Sequence, residues 1–175
     1  NEKRINATED MLSLFDNNIR DTISDGAISE IIYLVFGGEA TYKPSKGVLT
    51  DIISSGNLNL IQNKQLRQRL ASFQSELDFL KLQETSTHSS KDEMQKLFHK
   101  NGSVRKVLID KGLGFENKSI SDSTNNKKIF SLVEFENILL DYYLTIKAAN
   151  GERFFKGIKE HIEQIIVELD SEIKK

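Results

Sequence analysis

Apolar residues recur along most of this chain at steps of three and four. From Lys64 the series Leu66, Leu70, Phe73, Leu77 and Leu80 alternates those steps, which is the seam of a helix packed nearly parallel to its neighbours. Continued in the same frame, it predicts core positions at 84, 87, 91, 94 and 98. The last two are Met94 and Phe98, in register, whereas Glu84, Thr87 and Lys91 are polar. The helix is therefore expected to resume in phase beyond the polar interval from Thr85 to Ser90, as a weakened continuous helix or after a break.

The same periodicity places one amphipathic helix over Glu2 to about Ser24, with Ile5, Leu12, Phe15, Ile19 and Ile23 on its apolar face and Glu9, Asp10, Asp16 and Asp21 between them. Asp25 and Gly26 interrupt it. Ala27 to Phe36 is strongly apolar and closed by Gly37 and Gly38. Its β-branched residues suit a strand, but no second strand-like run offers a partner and a lone strand leaves its backbone groups unpaired, so helix is expected. A loop around Pro44 leads to a short helix carrying Val48, Leu49, Ile52 and Ile53, with Ser45 as its cap. Asn101 and Gly102 end the long helix, and Ser103 caps a short one through Ile109. Glu116 to Lys128 has the composition of an exposed, mobile loop. Phe135, Leu139, Tyr142 and Ile146 mark another helix, and Phe155, Ile158, Ile162, Ile165 and Leu169 a last one. The apolar frame shifts between these two, and counting leaves open whether the chain turns at Gly151 or stutters within one long helix.

The stretch around which these segments are organised is Ser54 to Gln68. Gly56 stands where a helix C-cap glycine would, and Leu58, Leu60 and Ile61 supply a short apolar connector alternating with Asn57 and Asn59. Asn63 is placed to cap the helix that begins at Lys64, ahead of Leu66 and Arg67. Arg67 lies near the first turn of that helix with Lys64, where the helix dipole disfavours positive charge by about 0.3–1 kcal/mol. An internal carboxylate such as Asp51, or the connector's carbonyls, is expected to compensate, so that Arg67 clamps the connector. An anionic ligand is the alternative.

At 175 residues, 38% hydrophobic and 29% charged, with one proline and no tryptophan, the chain reads as one soluble globular domain over 1–175. A net charge of −2 provides no basic field, so nucleic acid is not an expected partner. Without cysteine there are no disulfides, thiolate nucleophiles or Cys-based metal sites. The longest apolar run, Ile31 to Phe36, is far below the roughly 18 residues that span a bilayer. The chain begins at Asn1 without a methionine, so an upstream signal or anchor is expected to have been removed.

Chemistry-bearing residues are scattered. His88, His99 and His161 have no histidine at helical metal-site spacing and are read as surface histidines, with Glu160 and Glu163 merely near His161. His88 among Thr87, Ser89 and Ser90 lacks the geometry of a nucleophile and its base. Gly37–Gly38 and Gly112–Gly114 complete no phosphate-binding pattern and are read as helix terminators. Asp92 with Glu93, and Glu168 with Asp170, are read as solvated faces. The basic run of Lys91, Lys96, Lys100, Arg105, Lys106 and Lys111 is read as a solvated face, or alternatively as a contact for anionic headgroups or a partner. No catalytic set, cofactor or metal is expected.

The run Ser55-Gly56-Asn57-Leu58-Asn59-Leu60-Ile61, followed by Asn63, Leu66 and Arg67, resembles the signature of an uncharacterised Bacteroidota family, a domain of unknown function. Asn1 to Arg4 resemble the end of that family's membrane anchor, and Phe135, Glu136, Asn137 and the closing helix through Glu168, Leu169, Glu172 and Ile173 resemble its C-terminal half. The lead to the central motif is shorter here than in the family, and Phe73 is followed by Gln74 where the family commonly has an aromatic pair. The resemblance implies a largely helical domain on the periplasmic side of the inner membrane, anchored through a segment upstream of Asn1; the alternative compartment is the cytoplasm.

These readings converge on an all-α, single-domain antiparallel helical bundle with a short apolar connector between helices. The expected function is a non-enzymatic extracytoplasmic interaction or sensory domain, acting on a protein partner or by self-association. The alternatives are a small-ligand-binding bundle with an anion site near Arg67 and a hydrolase with a diffuse site.

Overall fold

A computed structural model describes residues 2–38 and 41–174, the side chain of Asp122 excepted. The chain folds into helices α1 (Glu2–Ser13), α2 (Asn17–Thr22), α3 (Asp25–Phe36), α4 (Gly47–Ser54), α5 (Lys64–Asn101), α6 (Val104–Asp110), α7 (Val133–Ala149) and α8 (Phe155–Ile173). Tight 3-10 turns form at Asn57–Leu60, Ile120–Ser123 and Asn126–Ser131. Among the described residues there is no strand, and the protein is an all-α helical bundle. Its backbone contacts separate into two compact units, residues 1–40 with 86–147 and residues 41–85 with 148–175.

In the first unit α3 packs against α1, α6 and the turn Asn126–Ser131. Ile28, Ile32 and Val35 recur at helical spacing on α3 and are buried with Met11, Met94 and Phe98 in one apolar cluster. Phe130 meets Phe15 and Phe135 edge to face, at ring-centre distances of 5.5 and 5.7 Å. α3 begins where Ser24 Oγ accepts from the Ala27 amide at 3.2 Å. Its last turn contains no basic residue, and the carbonyls left open there are satisfied from other helices. Lys91 Nζ donates to Gly37 O at 2.8 Å, Gln95 Nε2 to Phe36 O at 3.5 Å, and Arg4 to Gly38 O.

That contact explains the frame of α5. The helix runs unbroken for 38 residues, straight through the polar interval Thr85–Ser90. Leu66, Leu77, Leu80, Met94 and Phe98 are buried, and Lys91, at the polar position of the same frame, is only 7% exposed. Glu84, another polar position, accepts from the backbone amide of Tyr42 at 2.9 Å. The polar residues of the seam thus hold backbone groups that would otherwise lack partners.

The second unit has a smaller apolar cluster of Leu77, Leu80 and Ile158, with Phe73, Phe154, Phe155 and Ile162 against it. Phe79 stacks on Phe154 with ring centres 4.9 Å apart. α7 and α8 are separate helices: the chain turns after Ala149, with the Gly151 amide bonding Ala148 O at 2.9 Å and the Phe154 amide bonding Gly151 O at 3.1 Å. Gly157 is required just beyond, because a Cβ there would sit 2.1 Å from Glu152 O.

Three expectations are corrected. The first segment is two helices, because 3-10 bonds at Leu14, Phe15 and Asp16 close a turn and the Asp16 carboxylate restarts the helix by accepting from the Asn18 amide at 2.8 Å. Ser45 does not cap α4, whose N-cap position is Lys46 without a side-chain bond. The polar stretch ending at Lys128 is not all exposed: Asn126 is buried and exchanges two hydrogen bonds with the Ser103 backbone, Ser103 N to Oδ1 at 2.7 Å and Nδ2 to Ser103 O at 3.1 Å. The long helix ends and restarts as expected at Gly102 and Ser103, whose hydroxyl accepts from the Lys106 amide at 3.0 Å.

Candidate functional site

The motif from Gly56 to Arg67 is a helix–turn–helix joint in the second unit. Gly56 adopts φ +74°, the left-handed conformation that ends α4 and that a side chain would strain. Asn57, Leu58, Asn59 and Leu60 form a single 3-10 turn closed by the Ile61 amide on Leu58 O at 3.3 Å. Asn63 Oδ1 accepts from the amides of Gln65 and Leu66 at 3.0 and 3.1 Å, so it is the N-cap of α5. Leu66 is buried one turn in. The connector is not the buried element that its leucines suggested: Leu58 and Ile61 are half-buried, and Leu60 is 77% exposed because the 3-10 turn rotates it outward. Arg67 Nη1 donates to Ile61 O at 3.4 Å, so the guanidinium holds the connector's carbonyl.

A polar pair of contacts two turns further along was not visible in the sequence. His161 on α8 is not a surface histidine. Its Nδ1 lies 2.6 Å from Glu76 Oε2, its Nε2 lies 3.2 Å from Arg69 O, and its ring faces Phe73 with centres 5.6 Å apart. Both partners of the ring, the Glu76 carboxylate and the Arg69 carbonyl, are acceptors. Arg69 Nε in turn donates to Glu168 Oε1 at 2.9 Å. The local signal around His161 was Glu160 and Glu163 on its own helix, whereas the true partner is remote in sequence.

The first unit has an open cleft of about 630 Å³ with polar and apolar walls, lined by Leu12, Phe15, Asp16, Asn17, Phe130 and Glu136, and each unit has a smaller apolar groove. In the first unit a groove of about 220 Å³ lies between α3, α5 and α6, walled by Ile32, Tyr33, Phe36, Phe98, Val104 and Val107. In the second a groove of about 340 Å³ runs between Tyr42 and the Phe155, Ile158 and Ile162 side of α8. Displaced titration falls instead on surface pairs. Tyr143 Oη donates to Glu9 Oε1 at 2.6 Å and Lys147 Nζ reaches the same oxygen at 3.3 Å; these bonds hold the Glu9 carboxyl below its ordinary range. Hydrogen bonding to Tyr143 and Glu9 holds the Lys147 ammonium above its own, and the hydrogen bond to Glu152 does the same for Lys156. Among the described residues, no group of three histidines and carboxylates is placed to hold a metal ion, and no helix is long and apolar enough to cross a membrane.

What the helices do present is unpartnered apolar surface. On α7, Val133, Leu140 and Leu144 lie outward, opposite the buried Phe135, Leu139, Tyr142 and Ile146. On α8, Ile166, Val167 and Ile173 lie outward, while Ile158 and Ile165 are buried. The chain matches no family model, no curated protein and no solved structure.

Proposed function

We propose that this chain is a non-enzymatic interaction or sensory domain that works through helix faces, on the extracytoplasmic side of a membrane-anchored protein. The observation that carries the reading is on α8, where Ile166 and Ile173 share one side of the helix and are 52% and 81% exposed. Ile166 and Ile173 are one heptad apart, the repeat with which a helix seam meets a partner helix. Burying that side against a partner gains about 25 cal/mol per Å² of apolar surface. The resemblance of the central motif to an anchored helical family supports the periplasmic side and an anchor upstream of Asn1.

The other readings have less behind them. Arg67 directs a guanidinium N–H to Ile61 O, the contact that the clamp reading calls for. The groups with displaced titration sit in surface pairs rather than converging in a cleft, which disfavours a hydrolase.

The test is photo-crosslinking in cells from the full-length protein, with a benzophenone side chain at position 173 and a control at Glu116. A discrete adduct from position 173, to itself or to another protein, is expected and should be absent from the control. Equal, diffuse labelling from both positions would contradict an interaction role. Protease accessibility in spheroplasts tests the compartment, since protection from external protease would contradict the periplasmic side.

A further inference from the structure

We infer that the outward face of α7 docks a lysine- and arginine-rich amphipathic helix of a partner protein. This deepens the interaction reading and rests on it. Val133, Asn137, Leu140 and Leu144 follow one another at steps of four, three and four, so they line one side of α7 as the seam that a second helix would fill. Val133 is 70% and Leu144 is 63% exposed, whereas the opposite side of the same helix is fully buried in the first unit's core. The face is therefore surplus to folding.

Charge chooses the occupant. Glu134 and Asp141 flank the seam on one side and Glu136 on the other. The one basic residue of α7, Lys147, is already paired with Glu9 at 3.3 Å, and Glu9 also takes the Tyr143 hydroxyl. The rim thus remains acidic. A second copy of the chain would set acid beside acid in either direction, and an anionic lipid surface would be repelled likewise. A basic helix meets the acids with opposite charge while its apolar stripe covers Leu140 and Leu144. Asn137 places one amide within the seam, which favours a partner with a polar residue at the matching level.

The test uses the full chain, isotope-labelled, and three synthetic peptides as long as α7. One carries a leucine stripe on a lysine background, one scrambles that composition, and one replaces its lysines with glutamates. The striped lysine peptide is expected to bind, to shift the amide resonances of α7 around Val133, Leu140 and Leu144, and to weaken as salt is raised. Leu140→Ser with Leu144→Ser should weaken it by about tenfold or more with the circular dichroism unchanged. Lysines at positions 134 and 141 should transfer preference to the glutamate peptide. Equal binding of the scrambled or glutamate peptide, shifts mapping away from α7, dimerisation through α7, or capture by phosphatidylglycerol vesicles would each overturn the proposal. If these peptides fail while position 173 still yields its adduct, the α7 proposal falls and the interaction reading stands; if the adduct is missing too, both fall.

Discussion

His161 on α8 and Glu76 on α5 meet at 2.6 Å, and one heptad away on each helix Arg69 and Glu168 meet at 2.9 Å. The position that rises on one helix falls on the other, so α5 and α8 pair antiparallel in the second unit. The two contacts define their register. Exchanging Arg69 and Glu168 for one another should therefore retain most of the stability that either single replacement loses. A double-mutant cycle on His161 and Glu76 should give a coupling of about 1 kcal/mol, since the histidine is largely buried and the glutamate is not. Urea unfolding followed by helical circular dichroism measures both. A coupling near zero would mean that these side chains do not set the register.

Lys91 is a buried cation whose ammonium completes the C-terminus of α3. Lys91→Met keeps the aliphatic stem but removes the donor to Gly37 O, and should cost about 1.5–3 kcal/mol, the range for a hydrogen bond from a charged group. The loss should be read as faster amide exchange in the last turn of α3. A variant as stable as the parent would show that the carbonyl is satisfied without it.

Asn126 supplies the partner of the Ser103 N–H and a second donor to its C=O, which also accepts from the Val107 amide. Asn126→Ala leaves the buried Ser103 N–H unpaired, at about 1–3 kcal/mol, while Ser103 O keeps its bond from the Val107 amide at 3.3 Å. The thermal midpoint should fall well below that of Asn125→Ala, because Asn125 only caps a short 3-10 turn at the Lys127 amide. Equal midpoints would contradict the buried strap.

Acid should weaken the Glu9 cluster. Folding depresses the Glu9 carboxyl below its ordinary 4.5, so its contribution is fully present above about that pH and is lost as pH falls through the folded value. Lys147 is shifted the opposite way, upward from 10.5, so its contribution is present below that value and is lost as pH rises through the folded one. The cluster is thus intact at neutral pH. Tyr143→Phe removes the leading cause of the Glu9 shift, so its carboxyl should titrate closer to 4.5 in carbon-detected NMR. The stability gap between variant and parent should narrow on acidification. An unchanged Glu9 titration would remove Tyr143 from the account.

Much of the fold was legible because helix periodicity is local. The seam from Leu66 to Phe98 lands on the buried side of α5, the run Ala27 to Phe36 is helical, and Asn63 and Ser103 cap the helices that they precede. What escaped was set by partners far along the chain. Ile5, Leu12, Phe15, Ile19 and Ile23 keep helical spacing across the turn that divides α1 from α2, so the spacing hides the break. Asn126 carries the signature of a loop residue, and only the apposed Ser103 backbone makes it a core one. His161 was judged by its neighbours in sequence, whereas Glu76 and Arg69 reach it from another helix. Of the motif residues, Gly56, Asn63 and Arg67 act as their types suggest; Leu60 does not, because alternation along a 3-10 turn does not place both leucines on one side.

α5 runs as one unbroken helix from Lys64 to Asn101, through the polar interval Thr85–Ser90. Residue-resolved amide hydrogen exchange across Glu84 to Lys91 tests this most directly. Protection continuous with that of the flanking turns is predicted, with Thr85 to Ser90 exchanging no faster than helix ends elsewhere in the protein. Rapid exchange confined to Thr85–Ser90, between two protected segments, would show two helices joined by a linker and would contradict it.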